Sequence, residues 1–210
     1  MRTHGVWIGG RERASSSRTF FVSLNPATEE PLARFPQGTK QDIDAAVKCA
    51  SEAQKKWAAV PAPKRGEILF EIARLLRREK QRLGKLVSTE MGKVLREGVG
   101  DVQEAIDVFE YMGGEGRRLL GFTTPSELPH KTCYTFRMPL GVVGLITPWN
   151  FPVAIPAWKA SAALICGNGV VLKPSSDTPL CAYELVKICE EAGVPAGVMN
   201  MVTGSGEEAG

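Results

Sequence analysis

The fold follows from one segment, Gly144-Leu145-Ile146-Thr147-Pro148-Trp149-Asn150-Phe151-Pro152, in which an apolar strand ends in a polar turn. Two valines precede it and extend the β-favouring run, and Pro148 stops the strand because proline has no N–H for a sheet ladder. A helix is predicted next, since Pro152 suits a first helical turn and Gly167 suits a left-handed helix end. Ligands of open parallel sheets bind at the carboxyl ends of the strands, so the turn is a candidate site.

Asn150 is the candidate catalytic residue of this turn. One interpretation is structural, because asparagine commonly caps helices and shapes turns. The other is catalytic, because an amide held between a proline and aromatic rings can stabilise an oxyanion in acyl transfer. Both interpretations remain open from the residues alone.

The pattern from Gly141 onwards is strand, helix, strand, helix, strand. The predicted strands are Val142–Ile146, Val170–Leu172 and Val198–Val202, and the predicted helices are Pro152–Cys166 and Pro179–Ala192. Right-handed crossovers make the three strands parallel neighbours. The sequence therefore predicts half of a dinucleotide-binding sheet.

The first 140 residues predict strands followed by a helical layer. Short strands are expected at residues 7–10, 20–22 and 32–35 as an N-terminal hairpin, with a polar loop at 11–18. Thr39 and Asp42 form a capping-box pattern that starts the first helix. Further helices are expected at residues 63–79, 81–91 and 98–119, and an extended segment at 132–138.

Composition restricts the class of protein. A net charge of +3 on 210 residues is too small to predict a nucleic-acid partner, and no apolar run is long enough for a membrane span. The five cysteines show no paired spacing, so we expect reduced thiols in a cytoplasmic protein. Both histidines are isolated, and no metal site is predicted.

Two further positions follow the predicted strands. Lys173 leaves the second strand at its carboxyl end, where it is either a surface lysine or a cation that meets a cofactor. The segment Thr203-Gly204-Ser205-Gly206-Glu207-Glu208-Ala209-Gly210 follows the third strand, and it nearly matches a dinucleotide fingerprint. That match is weak by itself, since glycine turns after strands are common.

Two long motifs resemble the NAD(P)-dependent aldehyde dehydrogenase superfamily. They are Ile146-Thr147-Pro148-Trp149-Asn150-Phe151-Pro152 and Val171-Leu172-Lys173-Pro174-Ser175-Ser176-Asp177-Thr178-Pro179-Leu180, in the family's order and spacing. The resemblance extends over nearly the whole chain, from residues 8–10 and 25–28 onwards. It implies an α/β fold with an N-terminal helical layer, a β-hairpin and part of a Rossmann-like parallel sheet. The implied division is residues 1–123 as strands and helices that pack on the cofactor domain, 124–140 as an oligomerisation segment and 141–210 as half of the NAD(P)-binding sheet.

The resemblance implies roles for individual residues. Asn150 would stabilise the oxyanion of the reacting aldehyde. The implied cofactor-binding residues are Ile146, Thr147, Pro148, Trp149, Lys173, Ser175, Ser176 and Gly206. In relatives that prefer NAD the position of Ser176 is commonly a glutamate, so we expect dual use of NAD and NADP.

The resemblance also implies the reaction. An aldehyde is oxidised to a carboxylic acid through a thiohemiacetal and a thioester, with a cysteine and a glutamate that lie beyond these 210 residues. None of the five cysteines matches the nucleophile's motif, so we expect no catalysis from this chain alone. The implied partners are an aldehyde substrate and further copies in a homo-oligomer. The alternative is a non-catalytic module that binds nucleotides or serves oligomer contacts.

Overall fold

The computed structural model describes all residues from 1 to 210 as an α/β structure. The strands are β1 (Arg2–Thr3), β2 (Val6–Trp7), β3 (Glu12–Arg13), β4 (Phe20–Leu24), β5 (Pro31–Pro36), β6 (Thr123–Pro125), β7 (Thr132–Tyr134), β8 (Val142–Ile146), β9 (Gly169–Lys173) and β10 (Met199–Met201). The helices are α1 (Lys40–Ala59), α2 (Ala62–Met91), α3 (Leu95–Glu115), α4 (Ala154–Ile165) and α5 (Pro179–Glu191). The predicted α/β class is confirmed.

The main sheet has the strand order β3-β2-β10-β9-β8. Strands β8, β9 and β10 are parallel neighbours in chain order, joined by α4 and α5 as the sequence predicted. Strand β2 adds to the other side of β10 in the antiparallel direction, with Trp7 opposite Met201. The N-terminal strands β2 and β3 therefore extend the sheet on its β10 side.

Alternating side chains of β9 divide the core between the two faces of this sheet. Val170 and Leu172 belong to the large core that includes α4 and α5, while Val171 points to the other face, where Ala46 and Ala50 of α1 cover it. This is the period of two expected of a strand that is buried on both faces. Helices α2 and α3 form a layer outside α4 and α5.

The start of α1 agrees with the prediction, whereas the length of α2 does not. The capping box at α1 is formed: the N–H of Asp42 binds Thr39, and the Asp42 carboxylate accepts the N–H of Thr39 at 3.0 Å. The predicted break between residues 79 and 81 is wrong, because α2 runs unbroken through 30 residues. Its polar middle is made of good helix formers, and ion pairs such as Arg82 with Glu79 at 2.7 Å cover it.

Glycines set the distance between α2 and α3. A β-carbon on Gly66 would lie 2.4 Å from the carbonyl oxygen of Gly113, and one on Gly98 would lie 2.4 Å from that of Gly84. The backbones of the two helices are thus in direct contact at two levels. A β-carbon on Gly113 would lie 3.0 Å from the Phe70 ring, which favours glycine there, whereas one on Gly114 would come no closer than 3.8 Å to any other side chain, so packing does not explain that glycine.

The N-terminal strands differ in part from the prediction. Strands β4 and β5 form the expected hairpin, and β1 joins it in parallel to β5. The first predicted strand does not belong to this hairpin, because β2 pairs with β3 and β10. Strand β3 lies where a loop was expected, since Glu12 accepts the N–H of Gly5 at 2.8 Å and orders the polar segment.

A separate two-stranded sheet, β6 with β7, extends from the rest of the chain. Strand β7 corresponds to the predicted extended segment but is shorter, spanning Thr132–Tyr134. Its partner β6 was not predicted. None of the five helices is both apolar and long enough to cross a bilayer.

Candidate functional site

The carboxyl ends of β8, β9 and β10 lie side by side at one edge of the main sheet. The N–H of Thr147 donates to the carbonyl of Lys173 at 3.1 Å and continues the ladder one residue past β8. Thr147 is buried, and its hydroxyl has no hydrogen-bond partner in the chain. Ile146, Pro148 and Trp149 are exposed, so the edge offers apolar surface.

Asn150 lies in the turn between β8 and α4 and is exposed. Its carbonyl oxygen accepts a hydrogen bond from the Lys93 ammonium at 2.8 Å, and its side-chain amide makes no hydrogen bond within the chain. The side-chain amide is therefore free to donate a hydrogen bond to a ligand, while the Lys93 ammonium fixes the backbone carbonyl of the same residue. The structural interpretation, in which the Asn150 side chain caps α4, receives no support, because no side-chain cap of that kind is present.

A cap for α4 comes instead from α3. The Asp101 carboxylate accepts the N–H of Ala154 at 2.7 Å. No local pattern in the sequence indicates Lys93 or Asp101 as site residues, because each is more than fifty residues from its partner.

Lys173 and Ser176 meet at one carbonyl. The Lys173 ammonium donates to the oxygens of Pro174 at 3.0 Å and Gly204 at 2.9 Å, and the Ser176 hydroxyl donates to the same Gly204 oxygen at 3.1 Å. An ammonium has three N–H bonds, so one remains for a ligand. Burial lowers the pKa of Lys173, an effect that the Asp177 carboxylate opposes.

This geometry refines the expected role of Ser176. The Ser176 hydroxyl proton is already donated to the Gly204 carbonyl. The hydroxyl oxygen of Ser176 can still accept a hydrogen bond, but the hydroxyl must rotate before it can donate to a phosphate. Gly204 has a φ of 146°, and a β-carbon there would lie 2.9 Å from that of Ala209. A side chain at this position would displace the carbonyl that both residues share.

The remaining candidates lie near this carbonyl along the chain. Gly206 is exposed, and a β-carbon on it would meet nothing within 4 Å, so the backbone is open to a ligand. The Ser175 hydroxyl donates to the Asp177 carboxylate at 3.2 Å in a local turn. Ile146 and Lys173 line one groove beside α1, whereas Trp149 and Ser176 line a separate cavity.

Glu90 is a buried carboxylate of that second cavity, and no local pattern in the sequence indicates it. It accepts the N–H groups of Leu180 and Cys181, both at 2.8 Å, and thereby caps α5 from α2. Burial raises the pKa of Glu90, while these bonds and the Ser23 hydroxyl act in the opposite direction. Its contacts fix the start of α5, directly after the loop that carries Ser176.

The cysteines of α5 are unsuited to nucleophilic attack. Cys181 and Cys189 are both buried. Burial raises the pKa of the Cys189 thiol to about 12 and that of Cys181 well above its usual value. Both thiols therefore stay protonated at neutral pH.

Comparison with known proteins gives one consistent group. A profile described as "Aldehyde dehydrogenase family" matches residues 13–210. Malonate-semialdehyde dehydrogenase 1 of Geobacillus kaustophilus is 42% identical over 201 residues, which are 96% of this chain and 41% of that protein. The D-glyceraldehyde dehydrogenase (NADP(+)) of Picrophilus torridus is 40% identical over 98% of this chain and 42% of its own length.

Solved structures agree with the sequence comparison. The NAD-dependent benzaldehyde dehydrogenase from Corynebacterium glutamicum superposes with a TM-score of 0.93 at 34% identity, over 98% of this chain and 45% of that one. The chain thus spans about two fifths of the length of the curated relatives it matches, 41% and 42% in the two named above.

Proposed function

This chain belongs to the aldehyde dehydrogenase family, and from that premise we propose that the full-length protein oxidises an aldehyde to a carboxylic acid with NAD or NADP. Full-length here means a protein in which this chain is continued over the rest of the family's length. One observation supports the proposal most: the Asn150 amide stands free at the carboxyl end of β8, on a turn whose backbone is held.

Asn150 would act on the aldehyde oxygen. When a thiolate attacks the carbonyl carbon, negative charge develops on that oxygen, and an N–H donor already in place stabilises it without reorganisation. The Asn150 amide supplies such a donor. The attacking thiolate is assigned to another part of the full-length protein, because none of the five cysteines matches the family's nucleophile motif and the two in α5 stay protonated.

Lys173, Ser176 and Gly206 would hold the cofactor's adenosine end. The residues fit such a group, because Lys173 has one unused N–H and the backbone at Gly206 is open. Ile146, Thr147, Pro148, Trp149 and Ser175 complete the proposed contact set along the same edge. When bound, NAD(P) accepts the two electrons of the oxidation.

The reaction is tested with the purified full-length protein and three aldehydes taken from the names of the relatives: malonate semialdehyde, D-glyceraldehyde and benzaldehyde. At least one should give carboxylic acid and reduced cofactor in equal amounts. Cofactor binding without turnover of any aldehyde in a wider panel would favour the alternative of a non-catalytic nucleotide-binding module.

We also propose that the full-length protein is a homo-oligomer that buries the β6–β7 segment. Large apolar side chains between residues 120 and 140 are exposed, from 61% for Tyr134 to 93% for Leu140. A two-stranded sheet is marginally stable by itself, and apolar surface of this extent is typical of an interface. A second copy of the chain is the proposed partner.

Tyr134→Glu should shift the full-length protein to smaller assemblies, since a charge placed in an apolar interface must be desolvated. Tyr111→Glu is the matched control, because Tyr111 is also 61% exposed but lies on α3. The measurement is the mass by analytical ultracentrifugation. An unchanged mass for Tyr134→Glu, or an equal shift for both variants, would contradict this assignment.

A cytoplasmic location is also part of the proposal. Its basis is the set of five free cysteines without paired spacing, which suits a compartment that keeps thiols reduced.

A further inference from the structure

The turn that carries Asn150 is held by a lysine from the connection between α2 and α3. The Lys93 ammonium donates to the Asn150 carbonyl at 2.8 Å and lies 4.0 Å from the centroid of the Phe151 ring. Its side chain is 8% exposed. A cation that has lost most of its water binds such partners more strongly than an exposed one.

The other end of the turn is held by Asp101. One carboxylate oxygen accepts the N–H of Ala154, the first residue of α4, while the other is buried, lies 3.7 Å from the Lys93 ammonium and makes no hydrogen bond. Burial raises the pKa of the Asp101 carboxyl to about 6, and the Ala154 N–H and the Lys93 charge act in the opposite direction. The two side chains thus form one charged unit that contacts residues 150, 151 and 154.

We propose that Lys93 and Asp101 are positioning residues for the Asn150 amide. The bond from Lys93 is the one hydrogen bond that Asn150 makes within the chain, so it alone fixes the carbonyl of the residue whose side chain would stabilise the oxyanion. An oxyanion donor works only within a narrow range of distance, and a displacement of about 1 Å can cost up to roughly 10²-fold in rate. This inference rests on the proposed role of Asn150.

The test is a double-mutant cycle in the full-length protein. Lys93→Met keeps the apolar stem and removes the charge, and we expect kcat to fall roughly 10-fold or more while the KM for NAD(P) stays within about 2-fold. Lys93→Arg should recover most of the rate, because it keeps a donor and a charge. Lys80→Met is the matched control, since Lys80 donates from α2 to Gln103 of α3 at 2.6 Å rather than to the Asn150 turn, and should leave kcat unchanged.

The second half of the cycle places Lys93→Met in an Asn150→Ala background. If Lys93 acts through the amide, its removal should cost less than about 2-fold once the amide is gone, because the two effects are not additive. Asp101→Asn keeps an oxygen for the Ala154 N–H and removes the charge. It should behave in the same way, and it serves as the second variant if Lys93→Met fails to fold.

Three results would overturn the inference. An equal loss of kcat with and without the Asn150 amide would show that Lys93 acts independently of it. A lowered melting temperature with wild-type kcat would reduce both residues to structural support. A wild-type kcat for Asn150→Ala alone would instead remove the proposed role of Asn150, and the positioning role with it.

Discussion

Asn150→Ala should lower kcat of the full-length protein by roughly 10²- to 10³-fold, the range measured when one oxyanion donor is removed. The affinity for NAD(P) should hardly change, because the proposed partner of the amide is the aldehyde oxygen rather than the adenosine end. Steady-state kinetics with a saturating aldehyde measure kcat, and nicotinamide fluorescence measures cofactor affinity. Melting temperature shows whether the variant is folded.

Asn150→Asp is the control for shape. It keeps the size of the side chain but replaces the amide donor with a carboxylate, so it should be at least as impaired as Asn150→Ala. If Asn150→Asp keeps wild-type kcat, or if the loss in either variant is confined to cofactor affinity or melting temperature, Asn150 has a structural role.

The second large effect concerns the cofactor's 2′-phosphate. Lys173→Ala should weaken NADPH binding by about 1 to 3 kcal/mol, roughly 5- to 150-fold, because a charged hydrogen bond is lost. NADH should be weakened less, since its ribose hydroxyl carries no charge. Titrations of wild type and variant with NADPH and NADH at fixed ionic strength give the ratio of the two affinities.

Ser176→Glu should move the preference to NAD. A glutamate repels a phosphate that carries roughly −1.5 to −2 charges, and it can accept the ribose hydroxyls. Ser176→Ala removes the hydroxyl without adding charge, so it separates repulsion from the loss of a hydrogen bond. A wild type that excludes NADPH would show that the expected dual use is wrong, and an unchanged ratio in Ser176→Glu would show that Ser176 does not set the preference.

Elements with local signals were predictable from the sequence. The first helix begins where Thr39 and Asp42 cap each other, and α4 is followed by Gly167 with a φ of 86°, because both features depend on neighbouring residues. The division of α2 into two helices was wrong. The polar residues in its middle contain no helix breaker, and their carboxylate partners include Glu191 of α5, which lies 113 residues from Arg78.

The candidate site was also predictable only where the signals are local. Lys173 and Asn150 follow predicted strands, so their place at the sheet edge could be inferred from the pattern of strands and helices. The contacts that hold them could not. Lys93, Asp101 and Glu90 act on backbone atoms between 53 and 91 residues away, and no periodicity or motif records such a pairing.

The place of β2 in the main sheet has a consequence for the order of folding. Gly9 and Asn200, which share a hydrogen bond across this junction, are 191 residues apart. Synthesis at about 5 to 20 residues per second leaves β2 without its neighbour β10 for roughly 10 to 40 s. Helices α2 and α3 can pair early because their contacts are local, whereas β2 must wait for β10. During that interval β2 can pair with β3, but its other side has no partner, so the nascent chain presents an open strand edge to chaperones and to neighbouring chains.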